Sequence, residues 1–394
     1  LREVRGVTTG ELEELCRVVQ VGFGDSEIDW LREQLATEPG YGYWQSRVAV
    51  VAGRIVSSAQ ILVRQLRYGC CLIPTMGIGN VATLPDCRGQ GHASAVMRDA
   101  AAFMPRWGYP LGMLLADIPD FYRRLGWEVA HLRPACYSPL PAQALPPARA
   151  PLVRRERGGL QEGDLARLAA IYDSFNAGQT GPVVRCPAYW QVTAGRRLNH
   201  DSEVLITDGA YLALAVLEQH GAVGIAEAAC LAGAHRELRA LLAEAARLAR
   251  QADCGLLLAP GPGVLPAAWW EGIGAPAELP APLRTMPVML SVLDWLGLLQ
   301  AIRPELLRRW QAAGAPPLDV TTVHREQAVR LLAAAGTLDV RPAQAGPGAI
   351  ELSDGQAVWL CLGQWEALPG LREVEALRVL FSGPPYHFWP LDHF

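Results

Sequence analysis

Lysine is absent: all 35 Lys and Arg positions are arginine, and histidine is the only other basic side chain. A P-loop is excluded on that ground alone, because its lysine has no substitute here. Long apolar runs are missing too, and none approaches the roughly 18–20 residues that span a bilayer. The first residues, LREVRGVTTGELEEL, contain no apolar core of a signal peptide. There is no excess of positive charge: the formal net charge is -4, which leaves no bulk basic field for nucleic acid or an anionic membrane. The 9 cysteines include no C-x-x-C pair, and adjacent Cys70 and Cys71 suit neither an ordinary disulfide nor a zinc site. A reduced, cytoplasmic protein is the expectation. Cys361 and His387 show no ligand spacing either, so no metal is assigned.

What is present is a soluble globular composition, 51% hydrophobic and 19% charged, over 394 residues. That length exceeds one typical core and predicts two or three domains. Arginine-, alanine-, proline- and glycine-rich usage is what GC-rich coding produces. The informative stretch is Met76 to Met97, MGIGNVATLPDCRGQGHASAVM. Ile78 to Thr83 reads as a buried strand, a Pro-containing turn follows, and Arg88-Gly89-Gln90-Gly91 opens a long helix running towards Trp107. Glycines at a helix N-terminus present free backbone N–H groups at the positive end of the helix dipole, an anion site suited to a phosphate or pyrophosphate. Arg88 adds a planar, permanently charged fork. The spacing is not the dinucleotide fingerprint G-x-G-x-x-G.

Around this stretch the pattern predicts a first helix over residues 10–20, a hairpin of Arg47–Ala52 and Ile55–Val63, and a short strand Leu111–Leu115. A brief helix from Pro119 and closing strands over Trp127–Tyr137 follow. Leu140 to Pro151 (LPAQALPPARAP) reads as a linker. The plan then repeats: a helix over Glu162–Phe175, strands at 202–206 and 211–217, a strand at Val223–Glu227, a helix over His235–Arg250 and a strand at Gly255–Ala259. In this copy the turn reads Cys230-Leu231-Ala232-Gly233-Ala234-His235-Arg236, without the arginine-glycine spacing. Beyond a Pro/Gly-broken segment, residues 286–394 read as a small α+β domain: helix Val292–Trp310, strand Pro317–Val323, helix Glu326–Ala335, short strands Leu338–Val340 and Ala349–Leu352, and helices Ala357–Leu362 and Val374–Phe381.

Arg88-x-x-Gly91-x-Ala93 resembles the acetyl-CoA motif [Q/R]-x-x-G-x-[G/A] of GNAT N-acetyltransferases. The whole architecture, with the motif Phe121-Tyr122-Arg123-Arg124-Leu125-Gly126-Trp127 and the final Phe394, resembles the enhanced intracellular survival (Eis) family. The resemblance implies an α+β chain of tandem GNAT domains: a catalytic one at 1–140, a degenerate one at 151–285, and a sterol carrier protein-like domain at 286–394. It implies acetyl-CoA as donor, held by Val81, Ala82, Thr83, Arg88, Gly89, Gln90, Gly91, His92, Ala93 and Ser94. Tyr122 is then the general acid and the free α-carboxylate of Phe394 the general base. The backbone N–H of the Val81–Thr83 strand would hold the tetrahedral oxyanion without a metal. The acceptor implied is a small (poly)cationic amine such as an aminoglycoside, lined by Asp25 and Trp30, with Asp392 and Glu27 adding negative potential. Asp117 departs from the family, standing where a small hydroxyl residue is common. A homo-oligomer, a hexamer by resemblance, completes the expectation. The rival class is an acyl-CoA or lipid-binding sensor without turnover, which binding without thiol release would reveal.

Overall fold

The computed structural model of the chain describes residues 2–24, 31–32, 35–130, 136–138, 153–155, 157–217, 222–253, 255–258, 277–278, 286–371 and 374–392. The chain forms two compact units, Leu1–Ala130 with Met286–Pro384, and His131–Thr285 with Pro385–His393. Within the first unit, a strand from residues 286–384 is built into the sheet of residues 2–130.

In the first unit, β1 (Arg2–Gly6), α1 (Leu12–Phe23), β2 (Ser46–Val51), β3 (Arg54–Tyr68), β4 (Cys71–Thr83), α2 (His92–Arg106), β5 (Leu111–Leu115), α3 (Pro119–Arg123) and β6 (Glu128–Val129) follow in order. β7 (Val288–Val292) arrives from far along the chain, and the strand order is β1-β2-β3-β4-β5-β7-β6. β7 pairs antiparallel with β5 from Val288↔Leu115 to Val292↔Leu111 and with β6 at Met289↔Val129 and Leu290↔Glu128. All five of its residues are buried. α1 turns Leu15, Cys16, Val18 and Val19 inwards, as its helical spacing predicts. The β2–β3 hairpin turns on Ala52 and Gly53 at φ 50 and 80, the mirror-image geometry that suits the strands' twist.

Several elements differ from expectation. β4 starts at Cys71 rather than Ile78, because Gly69 and Cys70 make a second hairpin, pairing Tyr68 with Cys71. Of the closing strands expected at Trp127–Tyr137, only β6 stays in this sheet; Cys136–Ser138 pairs with Gly255–Leu258 in the second unit. Residues 326–335, expected to be helical, contain a strand.

After β7, Asp294 caps α4 (Trp295–Ala312) by accepting from the Gly297 N–H at 3.0 Å. Then come β8 (Leu318–His324), β9 (Gln327–Ala334), β10 (Thr337–Pro342), β11 (Ile350–Leu352) and α5 (Asp354–Cys361). The four strands order as β10-β9-β8-β11. In β9 the alternation of buried Val329, Leu331 and Ala333 overrides the helix preference of its alanines and leucines. Ala335 and Gly336, at φ 51 and 81, make the turn into β10.

This segment is fastened to the older part of the sheet. Glu305 accepts from the Cys70 N–H at 3.2 Å and from Arg309 Nε at 2.7 Å, and Arg309 Nη1 donates to Tyr68 Oη at 3.1 Å. A Cβ on Gly69 would overlap the Glu305 carboxylate, so glycine is required there twice over, its φ being +56. Trp359 of α5 donates to the Val129 carbonyl at 3.1 Å.

Among the described residues, the second unit has a 7-stranded sheet. Its order is Ala277–Glu278, Cys136–Ser138, Gly255–Leu258, Ala222–Cys230, Ala210–Leu217, Glu203–Ile206 and Val153–Arg155. Helices Glu162–Asn176 and His235–Gln251 pack on it, and Ala222–Cys230 lies parallel to Gly255–Leu258. Strand, helix and parallel strand thus follow one another as β4, α2 and β5 do in the first unit.

The isolated fragment 1–140 is expected to aggregate or melt without cooperativity, since it lacks the strand between β5 and β6. Residues 1–130 joined by a flexible linker to 286–384 should regain a cooperative melt followed by circular dichroism. A cooperative melt of 1–140 alone overturns this account.

Candidate active site

β4 is the central strand of the site. On one side it pairs with β3, with an irregularity between Ser58 and Gln60 opposite Asn80, whose φ is 52. Asn tolerates the left-handed conformation better than most residues, and one extra residue there bends the strand. On the other side β4 runs parallel to β5 from Thr75↔Leu111 to Ile78↔Leu114. Past that point, Ala116 takes the Pro287 carbonyl at 3.1 Å instead. Among the described residues, no strand pairs with the β5-facing edge of β4 beyond Ile78. The strand expected to serve the oxyanion, Val81-Ala82-Thr83, lies on this open edge. Ala82 is buried and its neighbours half-buried, and its carbonyl accepts from Ser57 Oγ at 2.8 Å. An open strand edge can take an extended, amide-bearing chain as a further strand.

The glycine loop follows directly. Gly89 and Gly91 both stand at φ +74, and Gly91 is the N-cap of α2. No side chain caps the helix start, so the N–H groups of its first turn, His92, Ala93 and Ser94, keep their donors for a ligand. A Cβ at Gly89 would meet nothing within 4 Å. Glycine is needed there for its backbone angle, and the space in front is open. The loop is braced by Arg88 Nε donating to the Thr83 carbonyl at 3.2 Å and Gln90 Nε2 to the Asp86 carbonyl at 3.3 Å. Arg2 Nη1 donates to the Gly91 carbonyl at 3.0 Å. Arg88, Gly89, Gln90 and Gly91 are exposed, Ala93 and Ser94 half-buried. His92 is buried, with Nε2 at 3.4 Å from Gln90 Oε1 and Nδ1 without a hydrogen-bond partner.

Tyr122 sits on α3, which Pro119 starts at a position where a missing N–H costs nothing. Its carbonyl accepts from the Leu125 and Trp127 N–H groups at 2.8 and 3.2 Å, closing the turn that Gly126 completes. Its ring is 8% exposed and shares one apolar core with Ile78 of β4, Val96 of α2, and Leu114 and Ala116 around the end of β5. Strand end, helix and tyrosine are therefore brought together where β4 and β5 part. Burial, and then the carboxylate of Asp117, push the Tyr122 hydroxyl up to about 12. Such a phenol holds its proton at any working pH. Trp127 is buried under Gly112, where a Cβ would come within 2.7 Å of its ring.

The remaining expected residues fall elsewhere. Asp25, Trp30 and Phe394 lie outside the described residues. Asp392, expected to offer negative potential to a cationic acceptor, is fully buried in the second unit. Arg185 Nε and Nη2 donate to its two carboxylate oxygens at 2.8 and 3.0 Å. Buried without exposed surface and held by Arg185, it is out of reach of a solvent-borne cation. Two features escaped the sequence reading: the Asn80 irregularity, signalled only by Gly77, Gly79 and Asn80 within an apolar strand, and the bracing Arg2. Among the described residues, no helix is long and apolar enough to cross a membrane.

The family model described as an acetyltransferase (GNAT) domain matches residues 3–130. No curated protein matches the sequence. A GCN5-related N-acetyltransferase from Kribbella flavida superposes with a TM-score of 0.74 at 18% identity, covering 100% of this chain and 98% of that one. A probable N-acyltransferase of unknown function from Enterococcus faecalis V583 gives 0.72 at 16%, and Eis1 from Mycobacterium abscessus 0.68 at 17%, both with 100% of each chain covered. At such identities the likeness is one of fold. Residues 3–130 are an acetyltransferase (GNAT) domain, a domain type that uses acyl-CoA donors, and the chain built on it is an acyltransferase enzyme.

Proposed function

We propose that the chain transfers an acetyl group from acetyl-CoA to a primary amine of a small (poly)cationic acceptor of the aminoglycoside kind. The observation that carries this reading is the convergence of an open strand edge, an uncapped glycine-opened helix and a buried, protonated tyrosine. The pyrophosphate would lie on the N–H groups from Gly89 to Ser94, with Arg88 beside it. The amide-bearing arm of the donor would add to the free edge of β4, which points its thioester at Val81, Ala82 and Thr83.

The amine nitrogen attacks the thioester carbon, a C–N bond forms, and a backbone N–H of the Val81–Thr83 strand holds the oxyanion. The C–S bond then breaks and the electron pair leaves on sulfur. Tyr122 donates to that sulfur. With its pKa near 12 against about 8.5 for a thiol, complete transfer is uphill by roughly 5 kcal/mol, so the phenol acts mainly as a strong hydrogen-bond donor. The α-carboxylate of Phe394 takes the ammonium proton. Asp117, exposed and close enough to act on Tyr122, supplies negative charge towards a cationic acceptor.

The second unit, with its matching strand, helix and parallel strand, is on this reading a degenerate GNAT domain. Its helix starts after Ala234 with no arginine before the glycine. The third segment is the sterol carrier-like one. Hexameric assembly and a cytoplasmic setting belong to the same reading.

Tyr122→Phe should lower kcat by about one to three orders of magnitude with the acetyl-CoA Kd nearly unchanged, as thiol release and calorimetry would report. Turnover at the wild-type rate removes Tyr122 from the mechanism. Because the phenol stays protonated, kcat should rise with pH and show no alkaline fall up to about pH 10. A descending limb below that pH, lost in Tyr122→Phe, contradicts the buried-phenol account. Gly91→Ala should raise the acetyl-CoA Kd about tenfold, since a Cβ at positive φ costs ~1 kcal/mol or more; an unchanged Kd argues against the loop as the donor site.

A further inference from the structure

Three side chains from the 286–384 segment meet at the turn that ends α3. Ser291 lies within β7, without exposed surface, in a strand otherwise made of valine, methionine and leucine. A buried hydroxyl is costly unless it finds a partner, and this one donates to the Gly126 carbonyl at 2.7 Å. The same glycine meets the Arg325 guanidinium: a Cβ on Gly126 would come within 2.6 Å of Arg325 Nη2 and 3.1 Å of Asp354 Oδ2. Arg325 Nη2 is 3.5 Å from Ser291 Oγ, and Arg325 Nε donates to Asp354 Oδ1 at 2.9 Å. Asp354 opens α5 and is met a second time by His324 Nε2 at 3.1 Å. The hydrogen bond with His324 and, against burial, the charge of Arg325 hold the Asp354 carboxyl below its ordinary range, so the anchor stays ionised at neutral pH.

Arg325 stands where arginine is costly. It is the first residue of the two-residue turn between β8 and β9, whose last ladder pair is His324↔Gln327, and its φ is 54. Left-handed backbone suits glycine or asparagine and strains a residue with a long side chain. The turn, Arg325-Glu326, contains neither. Folding stability does not repay that strain. Arg325 and Asp354 are 40% and 42% exposed, and an ion pair so open to water adds little. A strained residue that stability does not explain points to function.

What Arg325 packs on is the Tyr122 turn. α3 has only 5 residues and no side-chain cap, too little to hold itself. The turn closes by the Leu125 and Trp127 N–H groups donating to the Tyr122 carbonyl, and Gly126 lies between those two donors. Fixing Gly126 therefore fixes the backbone from which the phenol projects. We propose that Arg325 is a positioning residue: anchored on Asp354 and packed on Ser291 and Gly126, it sets the place of the Tyr122 hydroxyl. The proposal rests on the reading of Tyr122 as proton donor to the leaving sulfur. All of its parts lie within the first unit.

Arg325→Gly removes the guanidinium and relieves the strained φ together. Its melting temperature should hold or rise, while kcat for thiol release with neomycin as acceptor falls about tenfold and the acetyl-CoA KM stays within about twofold. Arg330→Ala, which removes the exposed Arg330–Asp319 pair from the same sheet, should leave kcat unchanged. Amide exchange read by mass spectrometry should quicken over residues 119–129 in Arg325→Gly and not in Arg330→Ala. Wild-type kcat or unaltered exchange in Arg325→Gly overturns the proposal. In the double variant with Tyr122→Phe, no loss beyond that of Tyr122→Phe alone is expected; losses that multiply place the effect of Arg325 elsewhere and overturn it. If Tyr122→Phe is impaired and Arg325→Gly is not, the positioning role falls and the acid stands. If Tyr122→Phe turns over normally, the acid falls and the proposal with it. Should Arg325→Gly fail to melt cooperatively, Ser291→Ala replaces it with the same expected loss, and Ser291→Thr, which keeps the hydroxyl, should restore kcat. Wild-type kcat in Ser291→Ala then overturns the proposal.

Discussion

The backbone hydrogen bonds between β5 and β7 are what the first unit depends on. Beyond Ile78 the two strands part: the irregularity at Asn80 bends β4, while β7 receives the outer edge of β5 and the Pro287 carbonyl takes the Ala116 N–H. The parting of β4 and β5 creates the open edge, and the path of the chain after Ala116 sets Asp117 and Tyr122 beside it. Ser291 of β7 then donates to the Gly126 carbonyl at 2.7 Å, at the end of the turn that carries Tyr122. A segment with no cofactor motif of its own thus contributes to the site through geometry alone.

Arginine in place of lysine matters to this architecture. The buried cations that tie distant segments together, Arg309 to Glu305 and Tyr68 in one unit and Arg185 to Glu227 and Asp392 in the other, each use several donors of one planar group at once. An ammonium is a compact, strongly hydrated point charge and would leave such sites less well matched. Removing one partner from such a buried arrangement typically costs about 3–5 kcal/mol, so both ties are strongly coupled to the folding of their units.

The glycine turn that opens α2 and the short helix α3 were legible because their signals are local. Positive φ at Gly89 and Gly91, Pro119 at a helix start and Gly126 at its end each need one residue type at one place. The hairpin at Ala52-Gly53 and the helices of the second unit were readable for the same reason. What failed was non-local. Val288–Val292 is a short apolar run whose neighbours in the sheet lie far away in sequence. Gln327–Ala334 has helical composition, and its pairing on both sides decides otherwise. Asp392 looked like a free acid because Arg185, the group that claims it, is distant along the chain.

The interleaving of the two units also constrains their birth. During synthesis β5 leaves the ribosome long before β7, and everything between Leu115 and Val288 must be translated first. At ~5–20 residues per second that interval is on the order of ten to thirty seconds. For its duration the nascent sheet carries an unpaired parallel-strand edge of Leu-Gly-Met-Leu-Leu, the kind of edge that recruits strands from other chains. The second unit, contiguous apart from its tail, has time to fold in between. Expression of this enzyme should therefore be governed by how well that edge is shielded while the chain is incomplete.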